Sequence, residues 1–159
     1  MRQFLVSLLI LLGAISLPVV SAGACELVGN DTLRREMAQA TNAMRARSGR
    51  PPLHIDPVLT RTAQKHACDI AARQTITHSD ARGRLPMKRL KSMGYRACFT
   101  AENLAMGMPA ANATIVAWQN SPKHAQNHQD VRARAMGFGV ARGPKGRLWW
   151  VGLYATSCG

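Results

Sequence analysis

The chain has 159 residues, of which 47% are hydrophobic, and its formal net charge at pH 7 is +13. This hydrophobic content is typical of a globular chain and argues against a disordered one. The positive charge favours polyanionic partners, namely anionic lipid, lipopolysaccharide, another cell-envelope polymer or nucleic acid. Nucleic acid is the least favoured of these, because aromatic residues make up only 5% of the chain and no base-stacking or groove-reading module is recognisable.

The N-terminal segment predicts export from the cytoplasm. Arg2 carries a positive charge, an apolar run extends from Phe4 to Ile15, and small residues follow. These are the three regions of a secretory signal peptide, with cleavage after Ala22 or Ala24. An uncleaved membrane anchor is the alternative, but the apolar run is too short for a membrane span.

We therefore expect residues 1–24 to be a signal peptide and residues 25–159 to form a single domain. About 135 residues are enough for one hydrophobic core and too few for two. The mature protein is expected to be secreted or periplasmic, and not to span a membrane.

Spacings of apolar residues predict four helices, which cover Asp31–Ser48, Pro57–Gln74, Pro86–Gly94 and Asn112–Ser121. Asp56 provides an N-cap for the second helix, and Pro57 fits its first position. Asn112 is expected to cap the fourth.

Strand-like patterns dominate the rest of the chain. An apolar run from Phe99 to Gly107 surrounds Glu102, and apolar side chains alternate with small residues from Met136 to Ala141. A turn over residues 143–146 leads into a second strand, Leu148–Tyr154. Helices followed by a hairpin predict an α+β domain with helices packed on a small antiparallel sheet.

Four cysteines, Cys25, Cys68, Cys98 and Cys158, predict two disulfides in an exported chain. No Cys-x-x-Cys pair occurs, which argues against a thioredoxin-like or zinc-ribbon site. Four cysteines allow three pairings. We favour Cys68–Cys98, which would join a helix to the segment before Glu102, and Cys25–Cys158, which would join the termini.

Glu102 is the only acidic residue between Asp80 and Asp130, and it lies in the apolar run. A carboxylate in such surroundings is costly unless another group pairs with it. Two interpretations stay open. Glu102 is either a buried structural residue that holds a backbone group or an arginine, or a functional residue in a cleft.

The five histidines are individually ordinary. His78 lies in a polar turn, which indicates a surface or capping residue, and His66 lies on the apolar stripe of the second helix, as a core histidine would. His124 and His128 are four apart, as a zinc pair on a helix would be. The missing glutamate of a His-Glu-x-x-His motif and the nearby Pro and Asn argue against that pair. His54 has no evident partner.

Signals for a nucleophilic enzyme are absent from the sequence. There is no Gly-x-Ser-x-Gly elbow, phosphate loop or dinucleotide fingerprint. Cysteines paired in disulfides provide no thiol nucleophile. Ser79 or Ser121 beside a histidine offers a possible dyad, but adjacency in sequence does not establish the geometry.

Several segments occur in an order and at spacings that resemble one family. They are Asn42-Ala-Met-Arg45, Gly49-Arg-Pro-Pro-Leu53, Asp56-Pro-Val-Leu59, Ala63-Gln-Lys-His-Ala-Cys-Asp-Ile-Ala71, His78, Ala101-Glu-Asn-Leu-Ala105, Trp118-Gln-Asn-Ser-Pro-Lys-His124, Asn127, Gly137-Phe-Gly-Val140 and Trp149-Trp-Val151. The chain resembles the CAP superfamily of cysteine-rich secretory proteins, antigen 5 and plant pathogenesis-related 1 proteins, in its short bacterial form. This resemblance covers residues 33–154 and implies a three-layer α-β-α sandwich.

The resemblance also implies a polar cleft with two histidines and two acidic residues. His78 matches the first histidine, Glu102 the glutamate and His124 the second histidine. Asn103 and Ser121 are expected to line the same cleft.

Two departures from the family pattern matter. Ala101 stands where glycine is usual, which restricts the backbone before the glutamate. The second acid is missing: Asn120 and Ser121 stand near Trp118, and Asp130 is only a distant substitute.

Two histidines and one glutamate suit a divalent metal such as zinc, with His78 and His124 as possible ligands and a position left for water. They equally suit a hydrogen-bonded water network that holds the cleft in shape.

Three functions follow from these patterns. The favoured one is a secreted, non-catalytic binding module for a lipid, an envelope polymer or a protein partner, with the basic stretch Arg82–Arg96 steering anionic ligands. The alternative is a metal-assisted hydrolase, a protease or esterase, in which His78, Glu102 and His124 activate water. A third is an envelope-stress protein whose charge and disulfides serve persistence.

Overall fold

The computed structural model describes Cys25, Leu27 and residues 29–158; the predicted signal peptide lies outside these residues. The helices in this part of the chain are α1 (Asn30–Arg47), α2 (Pro57–Arg73), α3 (Pro86–Ser92), α4 (Ala111–Gln119) and α5 (Pro122–Gln129). Its strands are β1 (His54–Ile55), β2 (Ala97–Met106), β3 (Ala135–Arg142) and β4 (Leu148–Ser157). None of the described helices is both long and apolar enough to cross a bilayer.

Local sequence signals determine where α2 begins. Oδ1 of Asp56 accepts hydrogen bonds from the backbone nitrogens of Val58 and Leu59, at 2.7 and 2.9 Å. Pro57 occupies the first turn, where no backbone donor is needed. The predicted cap of α4 is wrong. Ala110 is the N-cap residue there, its methyl side chain accepts no capping hydrogen bond, and Asn112 lies inside the helix.

The four strands form one sheet in the order β1-β3-β4-β2. β4 pairs antiparallel with both β2 and β3, as the predicted hairpin requires. β1 pairs parallel with β3, so the sheet is mixed rather than wholly antiparallel. β1 was not predicted, because two residues are too few to show a strand period.

Both faces of β4 are buried, which makes the domain a three-layer sandwich. Trp149, Val151 and Leu153 pack in one core cluster with the apolar side chains of α2. Trp150 and Tyr154 pack on the opposite face in a cluster that includes side chains of α1 and α4. Each buried side chain of this size contributes about 1.5–3 kcal/mol. The predicted α-β-α architecture is confirmed.

Two glycines of β3 allow α2 to lie directly on the sheet. A Cβ atom on Gly137 would be 2.3 Å from the backbone nitrogen of Thr60, and one on Gly139 would be 2.4 Å from the backbone of Ala63. No side chain fits at these distances. Gly137 and Gly139 lie on the face of β3 that packs against the backbone of α2. Phe138 lies on the other face, which packs against side chains, and this explains the alternation.

Two disulfides join Cys25 to Cys68 and Cys98 to Cys158, with Cα–Cα distances of 5.7 and 4.9 Å. The number of disulfides is as predicted, but the favoured pairing of Cys68 with Cys98 and of Cys25 with Cys158 is wrong. The two bonds span sequence separations of 43 and 60 residues. Closing loops of this length stabilises a fold by on the order of 4 kcal/mol each.

Strand register explains the pairing. Ala97 of β2 lies opposite Ser157 of β4, and the register shifts between Ala97 and Phe99, where Cys98 stands. The backbone nitrogen of Cys158 donates to the backbone oxygen of Arg96 at 2.8 Å, which holds Cys158 beside the start of β2, within reach of Cys98. Cys25 instead packs against the α2 side of the core, where Cys68 lies. Cys25 and Cys158 are thus each joined to a neighbouring element and not to one another.

Candidate functional site

Glu102 of β2 forms a buried ion pair with Arg89 of α3. Nη2 of Arg89 donates to Oε2 of Glu102, and the two side chains are only 5% and 1% exposed. Nη1 of Arg89 donates to the backbone oxygens of His78, at 2.6 Å, and Arg84, at 3.0 Å. Glu102 is therefore buried and held by an arginine, as one of the two interpretations expects, and its part in a cleft stays a prediction.

The second oxygen of Glu102 contacts His78, with Nδ1 of the ring 2.8 Å from Oε1. A carboxylate only accepts, so Nδ1 carries the proton and donates. The His78 side chain is 56% exposed, which leaves its Nε2 edge available to a ligand. The hydroxyl of Ser79 lies 3.1 Å from that of Thr77, and no bond joins it to His78, so the possible Ser79 dyad is not formed.

His66 of α2 lies behind this pair, fully buried. Its Nε2 donates to the backbone oxygen of Thr77 at 2.9 Å and lies 3.9 Å from Oε1 of Glu102. Burial lowers the pKa of His66 and outweighs the charge of Glu102, which raises it. The prediction of a core histidine is confirmed, but its position beside Glu102 was not predicted.

His124 lies on α5, which two asparagines attach to β2. Nδ2 of Asn103 donates to the backbone oxygen of His124 at 3.0 Å. Nδ2 of Asn127 donates to the backbone oxygen of Glu102 and to Oδ1 of Asn103, at 3.0 and 2.8 Å. Burial and the charge of His78 lower the pKa of His124. Ser121 is the N-cap residue of α5.

α5 is a regular eight-residue helix, although Pro and Asn argued against one. Pro122 occupies its first turn, where proline is favoured. His128 is fully buried, and its Nε2 donates to Oε1 of Gln119 at 2.7 Å. Burial, together with the charges of Arg45 and His124, lowers the pKa of His128 to about 4. His128 is therefore a core residue, a role that was not predicted.

The donor set does not fit a three-ligand zinc site. Both carboxylate oxygens of Glu102 are engaged, one by His78 and the other by Arg89. Asp130 does not supply a second acid, because its carboxylate pairs with Arg132 at 2.7 Å. Across residues 29–158 and Cys25, no group of three or more His, Cys, Asp or Glu side chains is arranged to hold a metal ion.

Residues 38–154 match the family model of the cysteine-rich secretory protein family, known as CAP. The chain belongs to the CAP family. The resemblance seen in the sequence is therefore confirmed.

Individual relatives agree with this assignment. A Bacillus subtilis protein, YkwD, is 27% identical to the CAP chain over 115 residues, which are 72% of this chain and 44% of that protein. The CAP chain thus spans less than half the length of this curated relative.

Solved CAP structures share the fold. An outer surface protein from Borrelia burgdorferi has a TM-score of 0.72 and 24% identity, covering 77% of this chain and 91% of that one. An extracellular SCP-domain protein from Bacillus anthracis has a TM-score of 0.75 and 20% identity, covering 80% of this chain and 41% of that one.

Arg89 and His66 were not predicted as members of this site. Arg89 is one of several cations near Glu102 in sequence, and nothing in its immediate neighbours distinguishes it from the others. Asn127 belongs to the segments that carry the CAP resemblance, but no role was assigned to it. Its two hydrogen bonds to β2 position α5, and with it His124.

Proposed function

We propose that this CAP domain is a non-catalytic module that works outside the cytoplasm and binds an anionic lipid or envelope polymer. The observation that carries the proposal is the state of Glu102. Its carboxylate is neutralised by buried Arg89 and bonded to His78, so neither oxygen is free to act as a general base. What the site offers a ligand is the exposed edge of His78, together with His124 on α5, the helix that Asn103 and Asn127 attach to β2.

Charge supports the choice of an anionic ligand. Exposed cations cluster around α3, and among the described residues none of their side chains forms an ion pair; they are Arg82, Lys88, Lys91 and Arg96. Such a cluster attracts anionic surfaces over about a Debye length, which is roughly 10 Å at 0.1 M salt.

Two further points support a location outside the cytoplasm. Both disulfides lie among residues that form the domain, and disulfides persist in oxidising compartments. Similar structures come from proteins described as extracellular and outer-surface.

Vesicle binding tests the proposal. We expect the oxidised protein to co-sediment with phosphatidylglycerol vesicles but not with phosphatidylcholine vesicles, and to dissociate as salt is raised. Lys88→Ala with Lys91→Ala should weaken binding by roughly thirtyfold, since each cation near an anionic surface contributes about 1 kcal/mol.

The matched control removes the same charge elsewhere. Arg47 and Arg50 are exposed at the C-terminal end of α1. Arg47→Ala with Arg50→Ala should weaken vesicle binding clearly less than the α3 pair. Equal losses, or equal binding to neutral vesicles, would contradict the proposal.

Hydrolysis is the second candidate, and the His78–Glu102 hydrogen bond favours it. A histidine oriented by a buried carboxylate is the arrangement that prepares a general base. The measurement is turnover of peptide and ester substrates, with and without a chelator. Activity that survives His78→Ala combined with His124→Ala would exclude these residues from any hydrolytic mechanism.

A further inference from the structure

A cavity of about 550 Å³ lies between α2, α3 and the turn that precedes α3. Its volume is within the range of roughly 300–1,000 Å³ that is typical of small-molecule sites. None of His78, Glu102 and His124 lines it. We propose that this cavity, hereafter the α2–α3 pocket, binds the phosphate ester of a polyol. The residues that line it are Thr62, Lys65, His66, Asp69, Asp80, Ala81, Arg82, Arg84, Arg89, Ser92 and Met93.

The acidic side chains of the α2–α3 pocket are already neutralised. Asp69 pairs with Arg73 at 2.5 Å, and Asp80 pairs with Arg84 at 2.8 Å. Burial opposes ionisation of Asp80, but hydrogen bonds from Arg84 and Arg82 outweigh it and lower the pKa. Neither carboxylate therefore remains free to balance an additional cation.

Two cations of the α2–α3 pocket have no acidic partner among the described residues. Nζ of Lys65 contacts only Sδ of Met93, at 3.3 Å, and the Arg82 side chain forms no ion pair. The uncompensated charge of the pocket is therefore positive. Lysine and arginine together are the usual recognition set for phosphate.

Buried polar atoms at the pocket wall that lack hydrogen-bond partners are a second, independent observation in favour of a ligand. Nε of Arg89 and Nδ1 of His66 are buried without a hydrogen-bond partner. An unsatisfied buried polar group costs free energy, and a ligand can relieve that cost. Nε of Arg89 is a donor, which suits a phosphate oxygen.

Two acceptor groups at the pocket wall, on His66 and Asp69, suit the hydroxyl groups of a ligand. Because Nε2 of His66 donates to Thr77, its Nδ1 is an acceptor, and it lies on the side of pocket-lining Asp69, 3.8 Å from Oδ2. A histidine acceptor and a carboxylate next to uncompensated cations suit a molecule that carries both hydroxyl groups and a phosphate.

This inference rests on the proposed function only in sharing an anionic ligand. The α2–α3 pocket shares Arg82 with the exposed cations around α3, but neither Lys88 nor Lys91, the pair tested above, lines it. It also assigns a second contact to Arg89. The same guanidinium that neutralises Glu102 would form part of the wall of the pocket.

The test is a titration of the isotope-labelled, oxidised protein with glycerol 1-phosphate, followed by NMR. We expect shifts centred on Lys65, Arg82 and His66, with glycerol alone causing none and inorganic phosphate binding more weakly. Lys65→Ala with Arg82→Ala should weaken glycerol 1-phosphate binding roughly tenfold or more, because charge-assisted hydrogen bonds are lost. Both residues are exposed, so circular dichroism should show an unchanged fold.

A matched control is available on the β3–β4 turn, where Lys145 and Arg147 are exposed and lie outside the pocket. Lys145→Ala with Arg147→Ala should leave glycerol 1-phosphate binding within about twofold of the wild type. If both double variants weaken glycerol 1-phosphate binding equally, or if the wild type does not bind it, the proposal for the α2–α3 pocket is wrong.

Vesicles distinguish the source of the phosphate ester. If Lys65→Ala with Arg82→Ala also abolishes binding to phosphatidylglycerol vesicles, the ligand is a lipid headgroup. If vesicle binding persists while glycerol 1-phosphate binding is lost, it is a soluble ester. If the wild type binds vesicles but does not bind glycerol 1-phosphate, the proposed function is retained and the proposal for the α2–α3 pocket is wrong.

Discussion

Arg89 and Glu102 form an ion pair between α3 and β2 in which neither side chain is more than 5% exposed. The same arginine donates to the backbone oxygen of His78, and the same glutamate accepts from the His78 ring. One pair therefore fixes both the backbone and the side chain of the exposed histidine. The ion pair therefore positions His78, and His78 is the residue of this group that is exposed to solvent.

Loss of Arg89 should destabilise the fold severely. Arg89→Met leaves the Glu102 carboxylate buried without its cation, which costs about 3–5 kcal/mol in comparable cases. Urea unfolding of the oxidised protein measures the change. Arg96→Ala, which removes an exposed cation nearby, should stay within about 0.5 kcal/mol of the wild type.

A double variant separates pairing from packing. Adding Glu102→Gln to Arg89→Met removes the unpaired charge, so we expect the double variant to be more stable than Arg89→Met alone. Additive losses would show that shape, and not charge, makes Arg89 necessary.

His78 should carry its proton on Nδ1, because that atom faces Oε1 of Glu102 at 2.8 Å. Histidine ¹⁵N chemical shifts report the tautomer directly. We expect Nδ1–H in the neutral wild-type ring. In Glu102→Gln, Arg89 can donate only to the amide oxygen, so the amide nitrogen faces His78 as a donor and the ring should shift toward Nε2–H. His54 is exposed in β1 and provides the internal reference, whose signal should not change. An unchanged His78 tautomer would contradict the geometry.

Some features of this fold could be predicted from the sequence because they are local. Asp56 and Pro57 determine where α2 begins through bonds within four residues. The hairpin of β3 and β4 follows from a two-residue period on each side of a turn. The family resemblance placed His78, Glu102 and His124, which residue properties alone did not connect.

The features that were missed depend on tertiary contacts. α5 is stabilised by Asn103 and Asn127, which bond it to β2, and isolated helices of this length are not stable. The Cys98–Cys158 bond depends on strand register, which spacing in sequence does not contain. Arg89 was one cation among several, and only the packing of α3 on β2 selects it.

Gly139 should tolerate no side chain, because α2 lies against it. A Cβ atom there would lie 2.4 Å from the backbone of Ala63, and backbone cannot move aside as a flexible side chain can. We expect Gly139→Ala to cost about 3 kcal/mol, at the upper end of overpacking effects. Thermal and urea unfolding measure the loss.

Gly146 provides the contrast for that experiment. It has a φ of +76°, and a Cβ atom there would meet open space. Gly146→Ala should therefore cost only the backbone preference of glycine, about 1–2 kcal/mol. Gly139 is not among the glycines with a positive φ, so a loss there no larger than at Gly146 would contradict the close approach of α2.

Stability should fall as the pH drops from 7 toward 4, and His128 should account for much of the fall. Its pKa is lowered from 6.5 to about 4, because burial and the charge of Arg45 disfavour the cation. Below pH 6.5 the unfolded chain binds a proton that the folded chain does not, so protonation favours unfolding. The contribution is fully present above pH 6.5 and amounts to about 3 kcal/mol lost by pH 4. Burial lowers the pKa of His66 as well, which adds in the same direction.

Replacing His128 isolates its contribution to the pH dependence of stability. His128→Gln keeps a neutral polar side chain near Gln119, so unfolding free energies measured from pH 7 to pH 4 should show a shallower slope than in the wild type. The slope should differ by up to about 1.4 kcal/mol per pH unit, the value for one proton. His54→Gln, at an exposed position, should leave the slope unchanged. If the wild type and His128→Gln lose stability in parallel, His128 is protonated in the fold and the buried, neutral ring bonded to Gln119 is wrong.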